Sequence, residues 1–209
     1  MPTDIFDTPP WDNDDTCLIV GSGPTLATMP LDLEYDYDVT IALNKAALFV
    51  KGDYWLCAAP GLLHEQWFKD RMDDWFGYDD TLRVFYAQPI FLTGPLTYAY
   101  PDVPYTFNEG GDVKEGDPCR FGVLKHGVTV AGRAIQLAYL KGIRDITLVG
   151  VDQRTRLYFD STENTKTKNN PDDTWPTVAN LNMLISYVQG NGCRVRSLTP
   201  TALDVEVTG

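Results

Sequence analysis

Short apolar runs rich in β-branched residues alternate along this chain with stretches of helical spacing, and that alternation leaves few folds open. The runs are "CLIVG" at 17–21, "DVTIALN" at 38–44, "DYWLCAA" at 53–59, "TLRVFYA" at 81–87, "DITLVGVD" at 145–152 and "CRVRSL" at 193–198. Helical segments are read at 62–76, 128–142 and 177–192. In the second of these, Val130, Ala134, Leu137, Ala138 and Lys141 fall on one face and Gly142 stands as the stop. "DITLVGVD" is almost continuously apolar, as a strand covered on both faces must be. The order predicts an α/β domain with a mostly parallel sheet flanked by helices. Residues 88–126, rich in Pro, Gly and Tyr, show no period and read as an irregular, lid-like insertion.

A chain of 209 residues can bury one sizeable core. Its net charge of −12 opposes loose attraction to nucleic acid or to an anionic membrane, and no apolar run reaches the length of a membrane span. Residues 1–15, "MPTDIFDTPPWDNDD", hold five aspartates and read as a solvated acidic arm, not a signal sequence. The four cysteines lack any C-x-x-C pair, which argues against structural zinc and for reduced, buried thiols in a cytoplasmic protein. A homo-oligomer is an allowed assembly.

In a parallel sheet, ligands bind beyond the carboxyl ends of the strands. Three polar segments stand there: Gly21, Ser22, Gly23, Pro24 and Thr25 after the first strand, Asn44 after the second, and Asp152 after "ITLVG". The two glycines and a proline suited to a first helical turn describe strand, tight turn and helix start. That geometry either aims free N–H groups at an anion or is a plain βα turn. Asn44 either faces a ligand or caps the next helix, and Asp152 faces the ligand or caps a loop. Of the two histidines, His64 lies in an apolar helical stretch. His126 adjoins Lys125 just before the 128–142 helix, where it would serve as acid, base or phosphate contact. Lys125, Arg154 and Arg156 offer positive charge to a polyanionic ligand.

"GSGPTL", "DVTIALNKA", "TVAGRAIQLAYLKGIRDITLVGVD" and "SLTPTAL" together resemble the Rossmann-like superfamily of hydroxymethylpterin diphosphokinases and bacterial CMP-sialic-acid-dependent sialyltransferases. The segments occur in the same order from about residue 17 to 203, and "APGLLHEQWF" is similar to a sialyltransferase segment after the third strand. The resemblance implies one Rossmann-like nucleotide-binding domain over 16–209. It places a nucleotide phosphate near Gly21, Ser22 and Gly23, and a ribose or base on Asn44. Thr129, Val130, Ala131 and Gly132 would open the phosphate-facing helix, Gly150 and Asp152 would line the rim, and Tyr158 would touch the donor phosphate. Two positions depart from the pattern: Ala59 replaces a nucleotide-contacting asparagine, and residues 153–209 contain no histidine to act as the family's base.

The resemblance implies a nucleotide-dependent transferase, foremost glycosyl transfer from a CMP-sugar-like donor to a hydroxyl acceptor. Asp152 is then the candidate base and His126 its rival. A diphosphokinase acting with ATP on a pterin-like alcohol would add Mg²⁺; otherwise no cofactor beyond the donor is implied. A third reading is a nucleotide-binding or structural protein that keeps the fold without the chemistry.

Overall fold

Burial on both faces decides where the central strands lie. In β2 (Thr16–Val20) and β8 (Asp145–Val149) the last four residues are buried, and in β3 (Val39–Leu43) all five are. Such residues have no polar face to turn to water, so they stand in the middle of a sheet. The computed structural model describes residues 3–30, 33–50, 52–57, 83–88, 105–126, 128–153 and 174–209. The remaining strands among them are β1 (Thr3–Asp4), β4 (Tyr54–Cys57), β5 (Arg83–Gln88), β6 (Tyr105–Asp112), β7 (Leu124–His126), β9 (Arg194–Ser197) and β10 (Glu206–Val207). The helices are α1 (Val130–Lys141) and α2 (Thr174–Gly190).

The sheet order is β1-β6-β5-β4-β3-β2-β8-β9-β10, with β7 pairing the second half of β6. Every strand pair among the described residues is parallel; the isolated bridge between Arg120 and Val123 is antiparallel. From β2 the chain runs outward through β3, β4, β5 and β6, then returns to the other side as β8 and β9. The strand order therefore reverses between β2 and β8, a topological switch point.

α1 crosses back over the sheet to feed the parallel strand β8, so its N-terminus lies at the carboxyl rim of the strands. It ends at Gly142, whose φ of 120° few side chains accept. Ala131, Ala134, Ile135, Leu137 and Ala138 bury its inner face with Leu181, Leu184, Ile185 and Val188 of α2. A Cβ on Gly132 would stand 2.5 Å from Val128 Cβ and 2.9 Å from Leu181 Cδ2, so this glycine serves close packing of α1 on α2.

Two expectations change. The acidic arm is not a solvated tail: β1 pairs with β6, and Ile5 and Phe6 are buried in the core. The fully buried Lys141 holds the arm through its ammonium, which donates to Ile5 O (3.1 Å), Thr8 O (2.9 Å), Thr8 Oγ1 (2.7 Å) and Pro9 O (2.7 Å). Apolar Ile5 and Phe6 override the charge around them, because burying them stabilises more than solvating the aspartates requires. The 88–126 segment is not irregular throughout: β6 lies within the sheet between β5 and β1, and β7 runs beside it. The helix expected at 62–76 lies outside the described residues.

Cys17, Cys119 and Cys193 are buried free thiols, as expected. Among the described residues no group of His, Cys, Asp or Glu is arranged to hold a metal. No helix among them is long and apolar enough to cross a membrane.

Candidate functional site at the carboxyl rim

At the switch point the backbone closes on itself. Gly21 N–H donates to Val149 O (2.7 Å) and Gly23 N–H to Gly150 O (2.7 Å). A Cβ on Gly21 would run into Gly150 O, and one on Gly150, whose φ is 63°, would run into Gly21 O. A Cβ on Gly23 would stand 2.5 Å from Asp152 Oδ2. These glycines let two strand ends touch.

The turn continues as a 3-10 turn over Pro24–Thr28, with Gly23 at its cap position and no side-chain cap of its own. Asp152 supplies the missing acceptor. Its Oδ2 accepts Thr25 N–H (3.0 Å) and its Oδ1 accepts the Thr25 hydroxyl, while the residue is only 5% exposed. The N–H groups of Gly21, Gly23 and Thr25 are thus all bonded within the protein, and Pro24 has none. Of the cradle expected for an anion, Ser22 N–H is left without a hydrogen bond among the described residues.

The late "SLTPTAL" segment fixes the far side of the rim. Thr199 Oγ1 accepts Gly150 N–H (3.2 Å), Thr201 Oγ1 donates to Val151 O (2.7 Å), and Ala202 N–H donates to Asp152 O (2.9 Å). These threonines hold β8's exit in place and were not singled out from the sequence.

Asn44 stands level with Ser22 on the neighbouring strand, since Val20 faces Ala42 in register. Its φ of 47° is left-handed, which Asn tolerates better than most residues. Its carbonyl accepts Trp55 Nε1 (2.9 Å), whereas its Oδ1 is buried and has no hydrogen-bond partner among the described residues. The capping alternative does not form: Leu43 is the cap residue of the 3-10 turn that Asn44 opens.

Thr129 repeats the pattern at the head of α1. It occupies the cap position, yet its hydroxyl makes no cap bond and is buried without a hydrogen-bond partner among the described residues. The first α1 N–H to find an acceptor among the described residues is that of Arg133, on Thr129 O (3.1 Å). The N–H groups of Val130, Ala131 and Gly132 remain at the rim, where the helix dipole favours negative charge. A buried polar atom without a hydrogen bond costs ~1–3 kcal/mol. Among the described residues two such atoms lie at this end of the sheet, and Thr40 Oγ1 is a further one inside β3.

His126 ends β7, three residues before Thr129. Lys125 beside it is buried; its ammonium donates to Glu115 O, so its charge is spent there and not on a rim ligand. The main chain of Lys125 is clamped by the fully buried Gln136, whose Oε1 accepts Lys125 N–H (2.8 Å) and whose Nε2 donates to Lys125 O (3.3 Å). Gln136 was missed, although a carboxamide on an otherwise apolar helix face was its signal. The structure therefore brings Gly21–Thr25, Gly150 and Asp152 into contact, and sets Asn44 and Thr129–Gly132 at the same end of the sheet. Ala59, His64, Arg154, Arg156 and Tyr158 lie outside the described residues.

No protein-family model and no curated protein matches this chain. Solved structures do. The sialyltransferase CstII from Campylobacter jejuni, in complex with the substrate analogue CMP-3FNeuAc, aligns with a TM-score of 0.55 at 14% identity, over 93% of this chain and 86% of that one. The fold is sialyltransferase-like. A structure of monomeric CstII aligns at a TM-score of 0.48 and 15% identity, over 92% and 87% of the two chains. At these identities the likeness concerns the fold, and sites must be argued from the residues themselves. The diphosphokinase side of the expected resemblance has no counterpart in these structures.

Proposed function

We propose that this chain is a glycosyltransferase that seats a CMP-sugar-like donor at the carboxyl rim of β3, β2 and β8 and passes the sugar to a hydroxyl acceptor. The observation that carries this reading is the pair of unsatisfied polar atoms, Asn44 Oδ1 and Thr129 Oγ1, at the rim of a sialyltransferase-like fold. The likeness to CstII, solved with a CMP-sugar analogue, supports the choice of donor.

In this reading the Asn44 carboxamide bonds the ribose or base. The Thr129 hydroxyl and the open N–H groups of α1 take the phosphate, whose charge the helix dipole favours. The bond between the sugar and the phosphate oxygen breaks and CMP departs. The acceptor oxygen then bonds the sugar and gives up its proton to a base. His126, at the end of β7 beside α1, is the group assigned to receive it. Asp152, with both oxygens committed to Thr25, is not.

Two features favour a second reading, a nucleotide-binding protein without turnover: the rim carboxylate is bonded within the protein, and residues 153–209 hold no histidine. Thermal shift with CMP, CMP-sialic acid, ATP and ATP–Mg²⁺, followed by a CMP-release assay, decides among these. Stabilisation by CMP and CMP-sialic acid with release of CMP is expected. Stabilisation without release under any acceptor selects the second reading. A response to ATP–Mg²⁺ alone selects the diphosphokinase reading, and no response to any nucleotide rejects all three.

A further inference from the structure

We propose that Asp152 is a positioning residue for donor binding, acting through Thr25 to hold the Gly21–Thr25 turn in the shape that leaves Ser22 N–H, without a hydrogen bond among the described residues, open to the donor. The proposal rests on the nucleotide reading of this rim. The turn has a structural need that it cannot meet alone: Gly23, at the cap position of the 3-10 turn, has no side chain to offer the first N–H groups. Asp152 meets that need from 127 residues away, accepting both the main-chain N–H and the hydroxyl of Thr25. Gly23 leaves the room for this carboxylate, since any Cβ there would meet Oδ2 and Cγ at 2.5 and 2.7 Å. Thr201 and Ala202 fix Asp152 from behind by bonding the carbonyls of Val151 and Asp152. A carboxylate so enclosed orients the turn. It does not present a free oxygen to an acceptor hydroxyl.

The test is a double-mutant cycle in the full chain, with Asp152→Asn, Thr25→Val and their combination. CMP affinity is read by calorimetry, stability by urea unfolding, and CMP release across pH. Asparagine keeps an acceptor for the hydroxyl but loses the one for the N–H; valine keeps the shape and loses the hydroxyl. Each single change is expected to weaken CMP binding by about 10-fold or more. The two variants break different bonds of one clamp, and the turn is held only while both are made, so the double variant should be little weaker than the worse single one. Thr25→Ser should restore affinity, and the pH profile should keep its shape. Should Asp152→Asn fail to fold, Thr25→Val against Thr25→Ser carries the same comparison. Independent, multiplying effects overturn the proposal, and so does a loss of stability with CMP affinity intact. Unchanged affinity with the acidic limb of the pH profile removed would make Asp152 the base instead. A wild-type chain that binds no CMP overturns the functional reading together with this one, whereas wild-type binding that both variants retain overturns this one alone.

Discussion

Gly21 and Gly150 meet across the switch point with their main chains in contact, so that neither position has room for a methyl group. Alanine at either forces β2 and β8 apart at the rim, an overpacking that costs about 1–3 kcal/mol. Gly150→Ala should be the worse of the two, since alanine also resists a φ of 63°. Urea unfolding of both variants measures this. Midpoints equal to wild type would show that the strand ends can part freely.

Asn44 separates binding from stability. Asn44→Gly removes a buried oxygen that has no hydrogen-bond partner among the described residues and relaxes a left-handed backbone, so the chain should be as stable as wild type or more so. CMP affinity should nevertheless fall by about 10-fold. Asn44→Ala should lose the same affinity and also ~1 kcal/mol of stability, because alanine resists the left-handed region. Calorimetry and thermal melts on the pair check both halves, and a glycine variant with intact affinity would remove Asn44 from the site.

Lys141 carries its charge into the core with oxygen atoms as its neighbours, and desolvation lowers its pKa from the ordinary lysine value. The unfolded chain then holds a proton that the folded one has released, in the window just below that value. From this group alone, stability rises as pH climbs through the window. Lys141→Met takes the donor from the carbonyls of Thr8 and Pro9, whereas Ile5 O keeps the N–H and the hydroxyl of Thr8. A carbonyl so left without either water or a donor costs ~1–3 kcal/mol. Hydrogen exchange over residues 3–11 should rise sharply in that variant. Protection equal to wild type would mean that Ile5 and Phe6 hold the arm unaided.

At the opposite end of the sheet, the Asp38 carboxylate accepts both the N–H and the hydroxyl of Thr16 (2.8 Å each). These bonds, the main-chain one foremost, hold its pKa below the usual aspartate value. The stabilisation is present above the unfolded value and is lost as pH falls through the folded one. In an NMR titration Thr16→Val should move the Asp38 pKa up part of the way. A value unmoved by the change would leave the main-chain bond as the whole cause.

Burial makes three thiols inert. It pushes Cys119 up to about 12 and Cys193 to about 11, with Cys17 displaced upward most of all. The thiolate is the reactive form, so iodoacetamide at neutral pH should leave all three unmodified until the protein unfolds. Peptide mapping before and after denaturation reads this directly, and modification of any one in the native protein would contradict its burial.

The strands around the switch point were legible because burial on both faces writes itself as an unbroken apolar run, as in "CLIV" and "ITLV". α1 was legible from its spacing and from Gly142. β6, "YTFNEGGD", was not: it carries two glycines and four polar or acidic residues, and its place is set by pairing with β5 and β1. Asn44 and Asp152 were found as polar residues at strand ends, but their roles divided on contacts that no local pattern encodes. Asp152 turns inward to Thr25 and Asn44 leaves its oxygen unspent. The helix start expected after Gly23 became a 3-10 turn, for which Pro24 supplies φ but no N–H.

The seating of the N-terminal segment also sets an order of events during synthesis. Thr3 and Asp4 pair with residues 105 and 106, and Ile5 meets an ammonium 136 positions further along. At ~5–20 residues per second, the ribosome releases those partners on the order of 10 s after the segment itself has emerged. Ile5, Phe6 and Trp11 spend that interval in water among aspartates. The aspartates that later bond the segment's own main chain, Asp4 to Phe6 N–H and Asp15 to Asp12 N–H, keep this stretch soluble while it waits.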